Sequence, residues 1–245
     1  METISNRDKI YIGKNAGFKT NLLKDIKNAK KSVKIVSPYL TGSYLSELVE
    51  LSKKGVEVTL ITADELREDM YGYSKFRHKD IIKQNKIQNP EAKAMKEKIN
   101  YILELGLILT LVSFSLYFIS PDLLIISGIL ALALLSGLLY SYSIKDYKYE
   151  YSCIFRLKVF DSSSGQKPGS RELIHSKIFV IDENIAFLGS ANFTYSGFTT
   201  HYETLIKIED LKAIKDISKE VESLYSSTEL LSRSIEEWGK EIYGN

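Results

Sequence analysis

Residues 174–192 read IHSKIFVIDENIAFLGSAN, and their polar skeleton is H-x-K-x4-D-x6-G-S-x-N, running from His175 through Lys177, Asp182, Gly189 and Ser190 to Asn192. Period-two alternation predicts a strand over 173–181. Leu173, His175, Lys177, Phe179 and Ile181 share one face, while Ile174, Ile178 and Val180 supply apolar filling. His175 and Lys177 therefore project side by side. Ile185 to Leu188 predicts a second buried strand, ended at Gly189 and Ser190 by a turn whose small residues let the backbone approach a ligand. Asn192 then returns toward the same place.

These residue types suit attack on a phosphodiester. A neutral imidazole is a nucleophile near neutral pH and, once protonated, a proton donor. Lys177, Ser190 and Asn192 supply donors for phosphate oxygens, so the site works by positioning and charge stabilisation. The chain has three histidines (His78, His175, His201) and one cysteine (Cys153), and no spacing among them matches a zinc or two-metal site. Neither a metal nor another cofactor is expected.

The pattern resembles the HKD motif of the phospholipase D superfamily at every defining position: His175, Lys177, Asp182, Gly189, Ser190 and Asn192. The resemblance continues through NFTYSGFTTHYETLIKI, where Glu203 occupies the place of an acidic residue that bonds the catalytic histidine in the family. It implies a nucleophilic His175 forming a phosphohistidine intermediate, a second histidine protonating the leaving group, and Asp182 supporting the site. The expected site is thus His175, Lys177, Asp182, Asn192 and Glu203 as catalytic residues, with Lys177, Ser190 and Asn192 binding substrate. His201 reads as a rim residue off the face of Glu203. The plainer alternative is a chance pattern on an ordinary buried strand.

A second motif copy is missing. Arg77-His78-Lys79-Asp80 spells the letters but lacks the spacing, the apolar strand and the glycine-serine turn, and reads as part of a solvated charged helix. Family members with two motifs build one site from two halves, so a single-motif chain is expected to form a homodimer with a shared active site, His175 facing His175 across a two-fold axis.

Two apolar segments, from about Tyr101 to Ile119 and from about Leu123 to Tyr142, are each close to the ~20 residues a helix needs to cross a bilayer. Only Ser120, Pro121 and Asp122 separate them, which predicts a transmembrane hairpin; a soluble hairpin buried in a large core is the alternative. Lys83, Lys86, Lys93, Lys96 and Lys98 precede it, Lys145, Lys148, Arg156 and Lys158 follow it, and the connection has no cation. By the positive-inside rule both flanks are cytoplasmic. Tyr101, Tyr117, Tyr140 and Tyr142 match an interfacial aromatic belt. The start METISNRDKIYIG shows no secretory signal, and the solitary Cys153 fits the same compartment.

The 245 residues and net charge of +2 agree with one soluble domain interrupted by the hairpin. Strands are predicted at Ile10–Ile12, Ser32–Ser37, Val56–Thr62, Ser152–Phe160 and Tyr202–Ile208. Helices are predicted at Phe18–Ala29, Ser43–Ser52 and Leu211–Tyr225. This alternation indicates an α/β fold, which the resemblance makes a phospholipase D-like mixed β-sheet flanked by helices and interrupted by a two-helix transmembrane hairpin. The expected parts are an N-terminal portion over 1–63, a charged helical stalk over 64–100, the hairpin over 101–143, the motif-bearing portion over 144–226, and a C-terminal amphipathic helix over 227–245. That helix puts Leu231, Ile235, Trp238 and Ile242 on one face for docking on the domain or a partner. Gly13 to Gly17 reads as a turn and cap.

The leading expectation is a membrane-anchored, metal-independent endonuclease on DNA or RNA, because small dimerising single-motif relatives are often endonucleases and the N-F-T after the motif is similar to theirs. A phospholipid hydrolase acting on lipids such as cardiolipin is the first alternative, and a non-catalytic membrane scaffold the second.

Overall fold

Strands with apolar residues on both faces need a layer on each side, and the chain supplies helices for both. The computed structural model describes residues 8–63, 81–116, 119–161, 174–228 and 231–244. In chain order the elements are β1 (Lys9–Lys14), α1 (Ala16–Lys19), α2 (Leu22–Lys27), β2 (Ser32–Val36), α3 (Gly42–Lys53), β3 (Glu57–Ala63), β4 (Ile82–Gln88), α4 (Pro90–Ser115), α5 (Asp122–Ser143), β5 (Tyr147–Cys153), β6 (Arg156–Phe160), β7 (Lys177–Ile181), β8 (Ile185–Gly189), α6 (Tyr195–Thr199), β9 (Tyr202–Ile208), α7 (Leu211–Ser226), β10 (Ser232–Arg233) and α8 (Ile235–Tyr243). Two units divide them, one of residues 1–83 and 151–245, the other of residues 84–150.

The first unit holds an eight-stranded mixed sheet in the order β1-β9-β8-β7-β2-β3-β6-β10. The pairs are antiparallel from β1 through to β2, and parallel for β2 with β3 and β3 with β6. Ile35 of β2 lies opposite Phe179 of β7. On that face Val33, Ile35, Phe179 and Phe187 pack with Leu22, Ile26, Leu45, Leu48 and Trp238 from α2, α3 and α8. The other face is covered by α7, with Ile214 against Val180 and Val221 against Val36 and Ile61. Burying each such side chain fully stabilises the fold by ~1.5–3 kcal/mol.

A polar network also ties α7 to the sheet. Lys34 Nζ lies 2.9 Å from Glu183, 3.0 Å from Glu222 and 2.7 Å from Ser218 Oγ. Arg156 makes a two-pronged contact with Glu222 at 3.1 and 2.8 Å and stacks over Tyr225. The Arg156 guanidinium, outweighing partial burial, holds the Glu222 carboxyl down at about 2. Arg156 and Lys158, read from sequence as cations flanking the hairpin and as part of a strand over Ser152–Phe160, lie in β6, and Lys158 Nζ donates to the Ser227 carbonyl.

Several expected elements shift. The single helix over Phe18–Ala29 is two short ones, broken where Asn21 adopts φ +60. The strand over Ser152–Phe160 is β5 and β6, bent at Ile154–Phe155. The charged stalk over 64–100 contains β4, whose pairing with β5 gives a two-stranded ribbon. Its residues 64–80, including Arg77 to Asp80, lie outside the described residues. Gly13 to Gly17, expected as a turn and cap, is the end of β1, a turn at Asn15 and the start of α1, with Gly13 at φ +127 and Asn15 at φ +60. The C-terminal helix starts only at Ile235, behind a capping box of Ser234 and Glu237. Ile235, Trp238 and Ile242 dock on the core, whereas Leu231 precedes the helix and is exposed. Burial pushes the Cys153 thiol up to about 11, so it remains protonated at neutral pH.

In the second unit, α4 and α5 form an antiparallel pair. Asn89 caps α4 through Ala92 N–H and Pro90 occupies its first turn. The two helices fit glycine to leucine: a Cβ on Gly106 would lie 2.8 Å from Leu134, and one on Gly137 2.6 Å from Leu103. Ser141 Oγ bonds Asn100 Oδ1 at 2.6 Å, adding a polar tie between them. Both helices are long and apolar enough to cross a membrane. Leucines and isoleucines such as Leu109, Ile125, Leu132 and Leu139 are exposed along them, unlike those of a hairpin buried in a soluble core.

Candidate active site

The site forms at the sheet end where β7 begins, β8 ends and β9 begins. Asp182 and Glu183, both at φ +53, turn β7 into β8, and this register pairs Lys177 with Gly189 across the strands. Motif residues twelve positions apart thus become cross-strand neighbours, ~5 Å apart between side-chain roots. The close approach requires glycine: a Cβ at Gly189 would lie 1.9 Å from the Thr204 carbonyl oxygen.

His175 and Lys177 are together as the alternation predicts, although the strand starts at Lys177 and not at 173. His175 is exposed and Lys177 buried, with 4% exposure. Lys177 Nζ donates to the His175 carbonyl oxygen at 2.7 Å and lies 3.0 Å from Nδ1 and 3.3 Å from Nε2 of the ring. A neutral imidazole has one acceptor nitrogen, so one of the two ring approaches is a hydrogen bond and the other is proximity. Burial lowers the Lys177 pKa, opposed by the charge of Glu203. The ammonium is accordingly a readier proton donor than a solvated lysine.

Ser190 is locked to β9. Its N–H donates to the Thr204 carbonyl at 2.9 Å, its Oγ accepts from Thr204 N–H at 3.0 Å, and its hydroxyl donates to Glu203 Oε2. Glu203, expected to bond His175, instead takes the Ser190 hydroxyl, and its Oε1 lies 3.7 Å from His201 Nδ1. His201, expected off this face, shares it, because two steps along an extended chain return to the same side.

Asn192 lies in the loop after β8. Its backbone is bracketed by Thr194 N–H at 2.7 Å and by the close approach of Gly197. Among the described residues its buried Oδ1 has no hydrogen-bond partner, a cost of ~1–3 kcal/mol. The loop is also stitched to the β2–α3 connection. Ser37 Oγ accepts from Phe193 N–H at 2.9 Å, and Thr41 Oγ1 accepts from Tyr195 N–H at 3.0 Å. Sequence reasoning passed over Ser37 and Thr41; the only available signal was a serine before Pro38 at the end of an apolar strand. Beneath lie Phe179, Phe193 and Phe198, ring centroids about 6 Å apart.

Asp182 sits elsewhere. Five strand steps at ~3.3 Å place it ~17 Å from Lys177, too far to touch a phosphate held there. Its carboxylate accepts from Lys30 N–H at 2.9–3.0 Å, Lys31 N–H at 2.7 Å and Ser32 N–H at 3.0 Å. It clamps the start of β2 to the β7–β8 turn, so its geometry is that of a positioning residue.

Among the described residues no group of three or more His, Cys, Asp or Glu side chains is placed to hold a metal. The arrangement gathers an exposed imidazole, a buried ammonium, a hydroxyl and an amide around one end of the sheet.

No curated protein sequence matches the chain. Among solved structures it is similar to NucT from Helicobacter pylori, at 16% identity over 93% of this chain and 99% of that one, TM-score 0.49. It is similar to a phospholipase D family member, Nuc from Salmonella typhimurium, at 12% identity over 93% and 99%, TM-score 0.43. A third likeness is to phosphatidylserine synthase of Haemophilus influenzae Rd KW20, at 13% identity over 97% of this chain and 45% of that one, TM-score 0.44. The family model described as "Cardiolipin synthase, PLD-like domain" matches residues 22–109 and 143–225. The unmatched interval falls within the α4–α5 hairpin, and with well over half of the sequence matched, the chain belongs to the phospholipase D-like phosphodiesterase superfamily.

Proposed function

We propose that the protein is a membrane-anchored, metal-independent phosphodiesterase that cleaves DNA or RNA internally through a phosphohistidine intermediate. The observation that carries this reading is the Lys177 ammonium 3.0 Å from His175 Nδ1, beside the end of β8 that bears Ser190. A ring nitrogen of His175 attacks phosphorus and the bond to the leaving oxygen breaks. That oxygen takes a proton from the His175 of a second copy of the chain. Water then displaces His175 from phosphorus, passing its proton to that same partner histidine, which now acts as the base. Lys177 offsets the charge that builds on the phosphoryl oxygens, and the Asn192 amide orients them. The α4–α5 hairpin serves as the anchor, with the catalytic unit cytoplasmic.

Nucleic acid is favoured by the side chains around this end of the sheet. Tyr195 and Tyr202 are 60% and 72% exposed, and Lys14 lies across from Tyr202. Exposed rings and cations together suit stacked bases on a phosphate backbone. A phospholipid substrate is the second reading, favoured by the apolar hairpin carried in the same chain.

The test is cleavage of labelled single-stranded DNA and RNA in excess chelator by the detergent-solubilised protein, beside His175→Ala. Cutting by the native chain alone is the expected result. Folded dimer that cuts neither, while hydrolysing a phospholipid, would replace the first reading by the second.

A further inference from the structure

Among the described residues, a titratable group outside the motif touches the site. His201 Nδ1 is 3.7 Å from Glu203 Oε1, and the other oxygen of that carboxylate holds the Ser190 hydroxyl. The backbone fixes His201 itself, whose N–H donates to the Ser196 carbonyl at 2.8 Å. His201 is 60% exposed at its side chain, whereas Glu203 is only 10% exposed. The buried carboxylate thus has one oxygen turned inward to Ser190 and one turned outward to an imidazole that solvent protons reach.

We infer that His201 is a positioning residue for phosphodiester cleavage: as an imidazolium it anchors Glu203 and so fixes Ser190. The effect passes through two contacts. Glu203 held at Oε1 keeps Oε2 on the Ser190 hydroxyl, which fixes Ser190 between Glu203 and Thr204 N–H. The added positive charge also offsets the carboxylate, leaving more of the Lys177 charge for a phosphate. Among the described residues, the titratable groups placed at this end of the sheet are Glu203 and Tyr202 on the same strand, Lys177 on β7 with His175 just before it, Lys14 on β1 opposite Tyr202, and Tyr195 on α6. Glu203 is the one acid among these, so protonation of His201 acts mainly on it. The hold needs the charged form of the ring, so it is present in acid and released in base. An exposed ion pair changes an equilibrium by up to about fivefold, which sets the size of the effect.

The inference rests on the phosphodiesterase reading above, and bis(4-nitrophenyl) phosphate serves as a probe that is independent of the nucleic-acid or lipid question. Its kcat is measured from about pH 5.5 to 8.5 for the full-length native protein, His201→Lys, whose charge persists throughout, and His201→Gln, which has none. Comparison between variants cancels every other pH-dependent step, which all three share. The expected ratio of His201→Lys to native is near one in acid and rises to about fivefold in base. His201→Gln should fall below native in acid, with KM changed less than kcat, and converge with it in base. Ratios flat across pH would overturn the role of His201 while leaving the enzyme reading intact. No hydrolysis by the native chain would remove the phosphodiesterase reading and this inference with it.

Discussion

Replacing Asp182 by asparagine keeps the side-chain volume but removes the charge toward which the N–H groups of Lys30, Lys31 and Ser32 point from 2.7–3.0 Å. Hydrogen bonds to a charged group contribute ~1.5–3 kcal/mol each, about twice the neutral value, so neutralising three of them costs ~2–4 kcal/mol. Asp182 is half-buried, and solvent reduces the loss to about 2 kcal/mol. For a domain of this size that lowers Tm by ~4–8 °C. Burial raises the Asp182 pKa, but the three backbone donors together outweigh it and hold the carboxyl below its ordinary value. A depressed pKa stabilises fully above the unfolded value, ~3.9, and the contribution is lost as pH falls through the folded value. The Tm gap between native and Asp182→Asn should therefore be constant above about pH 5 and close below about pH 4. Thermal unfolding by circular dichroism measures this, and phosphodiester hydrolysis well below both midpoints measures chemistry. Because Asp182 is ~17 Å from Lys177, kcat per folded molecule should change less than about threefold. An unchanged Tm together with a hundredfold loss of kcat would refute the reasoning.

Gly189→Ala drives a methyl into the Thr204 carbonyl oxygen at 1.9 Å; β8 and β9 must part, at a cost of ~3 kcal/mol or more, and chemical denaturation should show it together with loss of hydrolysis at low temperature. Glu222→Gln should remove an acid-labile part of stability. With its folded pKa at about 2, Glu222 contributes fully above the unfolded value of ~4.3 and loses that contribution as pH falls toward the folded one, so unfolding midpoints of the two proteins should converge in acid. Trp238 is the single tryptophan and is 4% exposed. Trp238→Ala should destabilise by ~3–5 kcal/mol, and in the native protein its emission should be blue-shifted until unfolding releases α8.

The motif strands were legible because they are short apolar runs with marked ends: Lys177 opposite Gly189 follows from two such runs joined by a short turn. The membrane-length helices were legible by length and composition alone. What escaped depends on long-range contacts. β4 has polar residues on both sides and is defined by its pairing with β5, which follows it after the whole hairpin. Arg156 looked like a flanking cation because its partner Glu222 comes 66 residues later. The donors to Asp182 were hidden for the same reason, since they lie some 150 residues earlier. Glu203 lies at this end of the sheet, but the choice between His175 and Ser190 as its partner turns on ångström-scale side-chain placement.

The central claim is that His175 forms a covalent bond to phosphorus. The direct measurement is the stereochemical course of hydrolysis, using one diastereomer of a phosphorothioate diester in isotopically labelled water. Two successive in-line displacements, the first by His175 and the second by water, predict net retention of configuration at phosphorus. Net inversion would mean that water attacks phosphorus directly, and would contradict the account.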